Sequence, residues 1–144
     1  MNEKERQIIS ELRKDAQASL SSISQNVHMP LSTIYDKINR FHREEVIKKY
    51  AVLVNFSKLD LHHQTQLAIR VAKPSKGSLL LYLQKNLAIN SIHEINGGFD
   101  FLVETVHHDV KEYLAFVEEL KERFEILELH SYQIVKEVER EKFI

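Results

Sequence analysis

The residues best equipped for chemistry gather in the stretch PLSTIYDKINRFHREEVIKKY, from Pro30 to Tyr50. Ile34, Ile38 and Phe41 recur there at helical spacing, so Ser32, Thr33, Asp36, Lys37, Arg40 and Arg43 lie toward the other side of the same helix. Hydroxyls, one carboxylate and three cations on one helix face are tools for hydrogen bonding and ion pairing rather than for breaking bonds. The bland alternative is a solvated amphipathic face. A second candidate is Gly97-Gly98, two of only three glycines, set between extended runs where a primed hairpin turn needs positive φ.

Eight histidines invite a metal or catalytic reading, but His62-His63 and His107-His108 are adjacent pairs. Neighbours on an extended chain point to opposite faces, so neither pair has the one-sided i, i+4 spacing of a helical zinc site. Surface placement is expected for them, with no metal and no cofactor. Glu118-Glu119 reads as the solvated side of a helix. The absence of cysteine excludes disulfides, thiolate-held zinc and thiol nucleophiles together.

These residues need a scaffold, and 144 residues can supply one domain, or one of about 50 beside one of about 85. At 43% apolar and 28% charged, the chain can bury a core. It has no apolar run of roughly 18 residues, and MNEKERQ lacks a signal-peptide stretch, so a cytoplasmic protein without a membrane span is expected. The net charge of −1 hides an asymmetry: through Tyr50 nine Lys/Arg face seven acids, whereas eleven face fourteen beyond it. A modestly basic N-terminal unit suits a polyanion better than the acidic remainder does.

Glu3 to Lys14 reads as a first helix on Ile8, Ile9 and Leu12. Ser19 can cap a second, carrying Leu20, Ile23 and Val27, and after the short HMP link a third begins at Pro30 or Leu31. VIKKYAVLVNF reads as an extended arm, and 59–64 as a connector. Beyond them the pattern predicts a strand at 65–72, a break at KPSKG, a helix at 78–87 and a strand at 89–95. A return strand at 99–106, a helix capped by Asp109 and a strand at 126–135 follow. This order is βαββαβ, the ferredoxin-like arrangement, whose helices cover one sheet face. Phe99, Phe101 and Val103 on one side of the return strand, with Leu102 and Val106 on the other, predict that a second copy covers the open face. The fold class is therefore α+β, with a helix-turn-helix domain at 1–50, an arm and connector at 51–64 and the βαββαβ domain at 65–144.

A helix-turn-helix joined by an arm to such a domain resembles the Lrp/AsnC (feast/famine) family of transcription regulators. STIYDKINRFHREEVIKKYAVLVN, INGGFDFLVET with its Gly-x-Phe-Asp core at Gly97 to Asp100, and HSYQIVKEV carry the likeness. The resemblance implies a RAM-type effector domain, dimers that often assemble to octamers, double-stranded DNA as partner, and a small effector, typically an amino acid. It places Lys37 and Arg40 as guanine readers, Asp36 on cytosine N4 or paired with Arg40, and Thr33 on a thymine methyl or a phosphate. Ser32, Arg43, Lys48 and Lys49 suit phosphate, as do Ser19 and Ser21 at the start of the second helix. It places the effector at Gly97, Gly98, Phe99 and Asp100, with Ser131 and Tyr132 nearby; the plainer reading makes the glycines a tight turn and Asp100 either its cap or one side of a salt bridge across the dimer.

The chain departs from the family pattern at His28, at Pro30, at Asp36, at Glu45 and at Glu125-Ile126, where glycine, a serine cap, a basic residue, glycine and glycine respectively are usual. Siroheme decarboxylases resemble the same architecture, which makes an enzyme the rival reading. A small-molecule sensor whose helix-turn-helix no longer reads DNA is the third.

Overall fold

The computed structural model describes residues 1–142, which divide into two compact units, Met1–Leu53 with the chain from Glu141, and Val54–Arg140. The division falls a few residues beyond the expected end of the first domain, and it puts the connector with the second unit.

In the first unit, α1 (Glu3–Lys14), α2 (Leu20–Val27) and α3 (Leu31–Arg43) follow the apolar spacing. Ile8, Leu12, Ile23, Val27, Ile34, Ile38 and Phe41 form one core, with Ile9, Leu20, Met29 and Ile47 packed against it. Each of these large side chains contributes roughly 1.5–3 kcal/mol by leaving water. Asn2 and Glu5 close a reciprocal capping box on α1, and Ser19 caps α2 by accepting from the Ser22 N–H at 3.0 Å. Pro30 stands at the N-cap of α3 without a side-chain cap bond. The arm after Ile47 has no strand assignment among the described residues, and Tyr50, Val52, Leu53 and Val54 are exposed.

In the second unit a 3₁₀ turn (Phe56–Leu59) leads into β1 (His63–Val71), α4 (Lys73–Lys85), β2 (Ile89–Glu94), β3 (Phe101–His107), α5 (Val110–Arg123) and β4 (Ile126–Gln133). The sheet is antiparallel in the order β2-β3-β1-β4. Leu67, Ile69, Val71, Phe101 and Val103 pack with Leu79, Leu83, Tyr113, Phe116 and Leu120 of the two helices. The expected βαββαβ order holds.

Several details differ from expectation. KPSKG does not break the chain but opens α4, because proline is harmless in a first turn whose N–H groups have no intrahelical partner. The β2–β3 link is longer than two residues: Ile95 N–H donates to Asp100 O at 2.9 Å, leaving Asn96–Phe99 as the turn, with Gly97 and Gly98 both at positive φ. Phe99 does not share a face with Phe101. It precedes β3, and its ring lies 4.8 Å from that of His130.

Nor is the open sheet face bare or wholly apolar. Between Leu102 and Val106 stands buried Glu104, which accepts from Gln66 (3.1 Å), Asn90 (2.5 Å) and Arg140 (2.9 Å), the last from the segment beyond β4. An arginine and two amides supply the partners that a carboxylate taken out of water requires.

His63 and His107 overturn the surface placement expected for the histidines. They are register partners in β1 and β3, buried beneath α5, with ring centroids 4.9 and 5.6 Å from that of Tyr113. His63 Nε2 lies 3.1 Å from Thr65 Oγ1, and their neighbours His62 and His108 are exposed, as strand alternation requires. Burial pushes the His107 pKa below the usual histidine range, opposed by Glu112 and Asp109 and reinforced by His63 and His108. The unfolded chain therefore takes up the proton first as pH falls through about 6.5, and stability is lost from there toward the lower folded-state pKa. The urea midpoint of the full chain should drop between pH 7 and pH 5, and His107→Leu should flatten that drop. An equal drop in both proteins would remove His107 as its cause.

Candidate nucleic-acid interface

The face of α3 available for a partner is set by what its other sides touch. Ile34, Ile38 and Phe41 are buried, while Ser32, Tyr35, Asp36, His42 and Arg43 are exposed and Thr33 and Asn39 are half-buried. Lys37 and Arg40 turn away from this open face toward α1. Lys37 Nζ donates to Glu5 Oε1 at 3.0 Å, and Arg40 donates to the same oxygen. Glu5 Oε2 accepts from the Asn2 N–H at 3.1 Å, completing the capping box.

The Glu5 side chain is 7% exposed, that of Lys37 20% and that of Arg40 38%. The Arg40 and Lys37 hydrogen bonds, with the Asn2 N–H, bring the Glu5 pKa down to about 2 against the opposing effect of burial. Arg40 is also 3.8 Å from Glu44 and stacks over Phe41 at 5.5 Å. The two residues expected to read guanine are thus engaged by the protein's own carboxylate, which corrects their placement on an outward face. Tyr35 and Asn39, absent from the expected set, lie on the open side with Ser32 and Asp36. Helical spacing from Ser32 and Asp36 was the signal that could have found them.

The remaining candidates are positioned as follows. Ser19 and Ser21 are exposed at the start of α2, the former with its Oγ committed to the cap. Lys48 and Lys49 are exposed beyond α3. The turn before α3 passes through His28 at φ 59°, with Met29 N–H donating to Ser24 O at 3.2 Å, and the turn after it passes through Glu45 at φ 55°. Both are left-handed positions where glycine is cheapest.

In the second unit, Gly97 and Gly98 are exposed at the turn, and Asp100 is half-buried beside them. Asp100 acts as a structural cap: Oδ2 accepts from Val71 N–H at 2.9 Å, Asp100 N–H donates to Ile69 O at 2.8 Å, and Oδ1 is 3.9 Å from Lys76 Nζ. Ser131 and Tyr132 point to opposite faces of β4. Ser131 Oγ lies 2.6 Å from the Tyr113 hydroxyl of α5, whereas Tyr132 is exposed. Ser131 therefore does not join the glycine turn, while Phe99, through its contact with His130, does lie toward β4. No group of three or more His, Cys, Asp or Glu able to hold a metal occurs among the described residues. None of their helices is long and apolar enough to cross a membrane.

Residues 1–48 match a winged helix-turn-helix DNA-binding family. The Escherichia coli leucine-responsive regulatory protein is 25% identical over 94% of this chain and 85% of its own length. An AsnC family transcriptional regulator from Agrobacterium tumefaciens superposes with a TM-score of 0.88 at 17% identity, covering 100% of this chain and 96% of its own. A Neisseria meningitidis transcriptional regulator solved in complex with L-Met gives 0.88 at 16% identity, over 97% and 93%.

The chain is similar to the Lrp/AsnC regulators in sequence and in fold. Its departures from the usual Lrp/AsnC pattern at His28 and Glu45 now have a physical meaning, since each holds a left-handed backbone without glycine. Replacing either by glycine should relieve strain at the cost of a freer unfolded chain, a net gain of about 0.5–1 kcal/mol. Urea denaturation of His28→Gly and Glu45→Gly checks this, and lowered midpoints would mean that the side chains do more than tolerate the turn.

Proposed function

We propose that the chain is a sequence-specific DNA-binding transcription regulator, homodimeric in the cytoplasm, whose second unit responds to a small effector such as an amino acid. The open polar face of α3, on a three-helix unit that matches a winged helix-turn-helix family, carries this reading. In the major groove that face presents Ser32, Thr33, Tyr35, Asp36 and Asn39. Asn39 suits the paired N6 and N7 groups of adenine, Asp36 the N4 amine of cytosine, and Thr33 a thymine methyl. Arg43, Lys48, Lys49, Ser19 and Ser21 suit phosphate, which fixes register without reading sequence.

Two features support a dimer. The arm exposes Tyr50, Val52, Leu53 and Val54, and the open sheet face exposes Tyr132. A second copy is the simplest cover for such surface. Two copies of α3 would then meet half-sites about one helical turn apart, or a multiple of it. Further assembly of dimers toward an octamer would bring glycine turns to interfaces between them. There the exposed turn at Gly97 and Gly98, together with Phe99 and with Tyr132 of β4, would receive the effector, while Asp100 shapes the turn. The L-Met bound to the Neisseria regulator supports an amino acid as the first class to try. Cofactor-free binding, not catalysis, is the activity proposed.

Selection of genomic fragments by the purified chain, followed by footprinting, should yield protected half-sites at helical-turn spacing. Asn39→Ala with Arg43→Ala should weaken binding to the selected fragment at least about tenfold, one bidentate base contact being worth roughly 1–3 kcal/mol. Full retention of binding would reject this face. For the effector, a thermal-shift screen of the twenty standard amino acids should find at least one that raises the melting temperature. If none stabilises the chain, the amino-acid part of the proposal fails.

A further inference from the structure

Lys37 and Arg40 carry two of the three Lys or Arg charges of α3, yet both are spent on one oxygen of Glu5. We infer that Glu5 is a specificity-determining residue of the DNA-reading unit: its carboxylate keeps Lys37 and Arg40 off the duplex, so affinity for arbitrary sequence is held down while the open face of α3 reads. The inference rests on the DNA-binding reading above and deepens it.

Three observations support it. First, the carboxylate is fixed. Glu5 stands in the first turn of α1, its backbone N–H donates to Asn2 Oδ1 at 2.9 Å, and its second oxygen accepts from the Asn2 N–H. It cannot swing out to follow the cations without breaking the capping box. Second, a carboxylate oxygen that collects an ammonium and a guanidinium offers them what a DNA phosphate oxygen would offer, so the protein supplies its own anion at this spot. Third, what remains on the open face is nearly balanced in charge, with Asp36 against Arg43. A neutral face gains little from the phosphate backbone and depends on base-edge contacts, the condition under which the ratio of specific to non-specific affinity is largest.

A purely structural role, in which Glu5 only fastens α1 to α3, predicts something different. Each phosphate neutralised by a protein cation steepens the fall of log K with log salt by about 0.9. Freeing the two cations therefore changes a slope, whereas loosening a helix does not. The probe is a short labelled duplex of mixed sequence, titrated with the full chain by fluorescence anisotropy across a KCl series.

Glu5→Gln keeps the side-chain shape and can still close the capping box. It should steepen the slope by about one to two units and tighten low-salt binding about tenfold or more. Glu5→Gln combined with Lys37→Gln and Arg40→Gln should return the slope to that of the unaltered chain. Circular dichroism checks that each variant is folded. Should Glu5→Gln fail to fold, Glu5→Asp, whose shorter arm cannot reach both cations, should give an intermediate slope. A folded variant with an unchanged slope, beside an unaltered chain that binds, overturns the role of Glu5 alone. If neither binds at the lowest salt, the DNA-binding reading falls and takes this inference with it.

Discussion

The first unit depends on one buried carboxylate. Glu5 ties the N-terminus of α1 to Lys37 and Arg40 of α3, between residues more than thirty positions apart, and does so from the rim of the apolar core. Such a buried charge cluster is weak evidence of net stability, because taking the ions out of water costs about what their attraction returns. Its effect is orientational. Apolar packing of Ile8, Leu12, Ile34 and Phe41 would tolerate some rotation of α3 about its axis, whereas a carboxylate with three donors would not. Which residues of α3 face outward is decided there.

The second unit meets the same problem in a different form. Its helix-covered face is apolar toward the Val71 and Phe101 end, but toward the other end it holds His63, Thr65, Thr105 and His107 beneath Tyr113. Its opposite face buries Glu104 under Arg140. Glu104 has its partners supplied by the neighbouring strands and by the segment after β4, whereas on the helix-covered face His63 meets Thr65 of its own strand and the Thr105 hydroxyl and His107 Nδ1 stay without a hydrogen-bond partner. These groups restrict register more than they strengthen the sheet, since a slip of one residue would send Glu104 to the helix side and leave it without donors.

Much of this was legible in the sequence, and the failures have specific causes. The core of the first unit follows directly from 3.6-residue spacing, and β-α-β-β-α-β order follows from the switch between period two and period 3.6. Periodicity places side chains around a ring and marks the buried centre, but it does not say which flank meets a neighbouring helix. Lys37 and Arg40 lie on the flank beside α1, and that is where outward cations were expected. A hint existed: Glu5 continues the Ile8–Leu12 stripe at i−3 and i−7, a carboxylate in line with buried apolar residues. KPSKG misled because proline was read as a breaker rather than as a first-turn residue. His63 and His107 misled because histidine is placed inside as readily by a tyrosine and a threonine partner as it is placed outside by charge.

The positions on either side of α3 complete the argument about orientation. His28 and Glu45 hold left-handed backbone without glycine, a cost that the packing on either side of the helix has to offset. Glu5 fixes the rotation between them. A helix held in rotation can present Ser32, Tyr35, Asp36 and Asn39 in one geometry, and sequence discrimination needs that, because a bidentate amide contact is lost within a few tenths of an ångström. A basic helix held loosely would bind any duplex through its charges. The arrangement here withdraws charge from the helix and adds constraint, and the two changes work in the same direction.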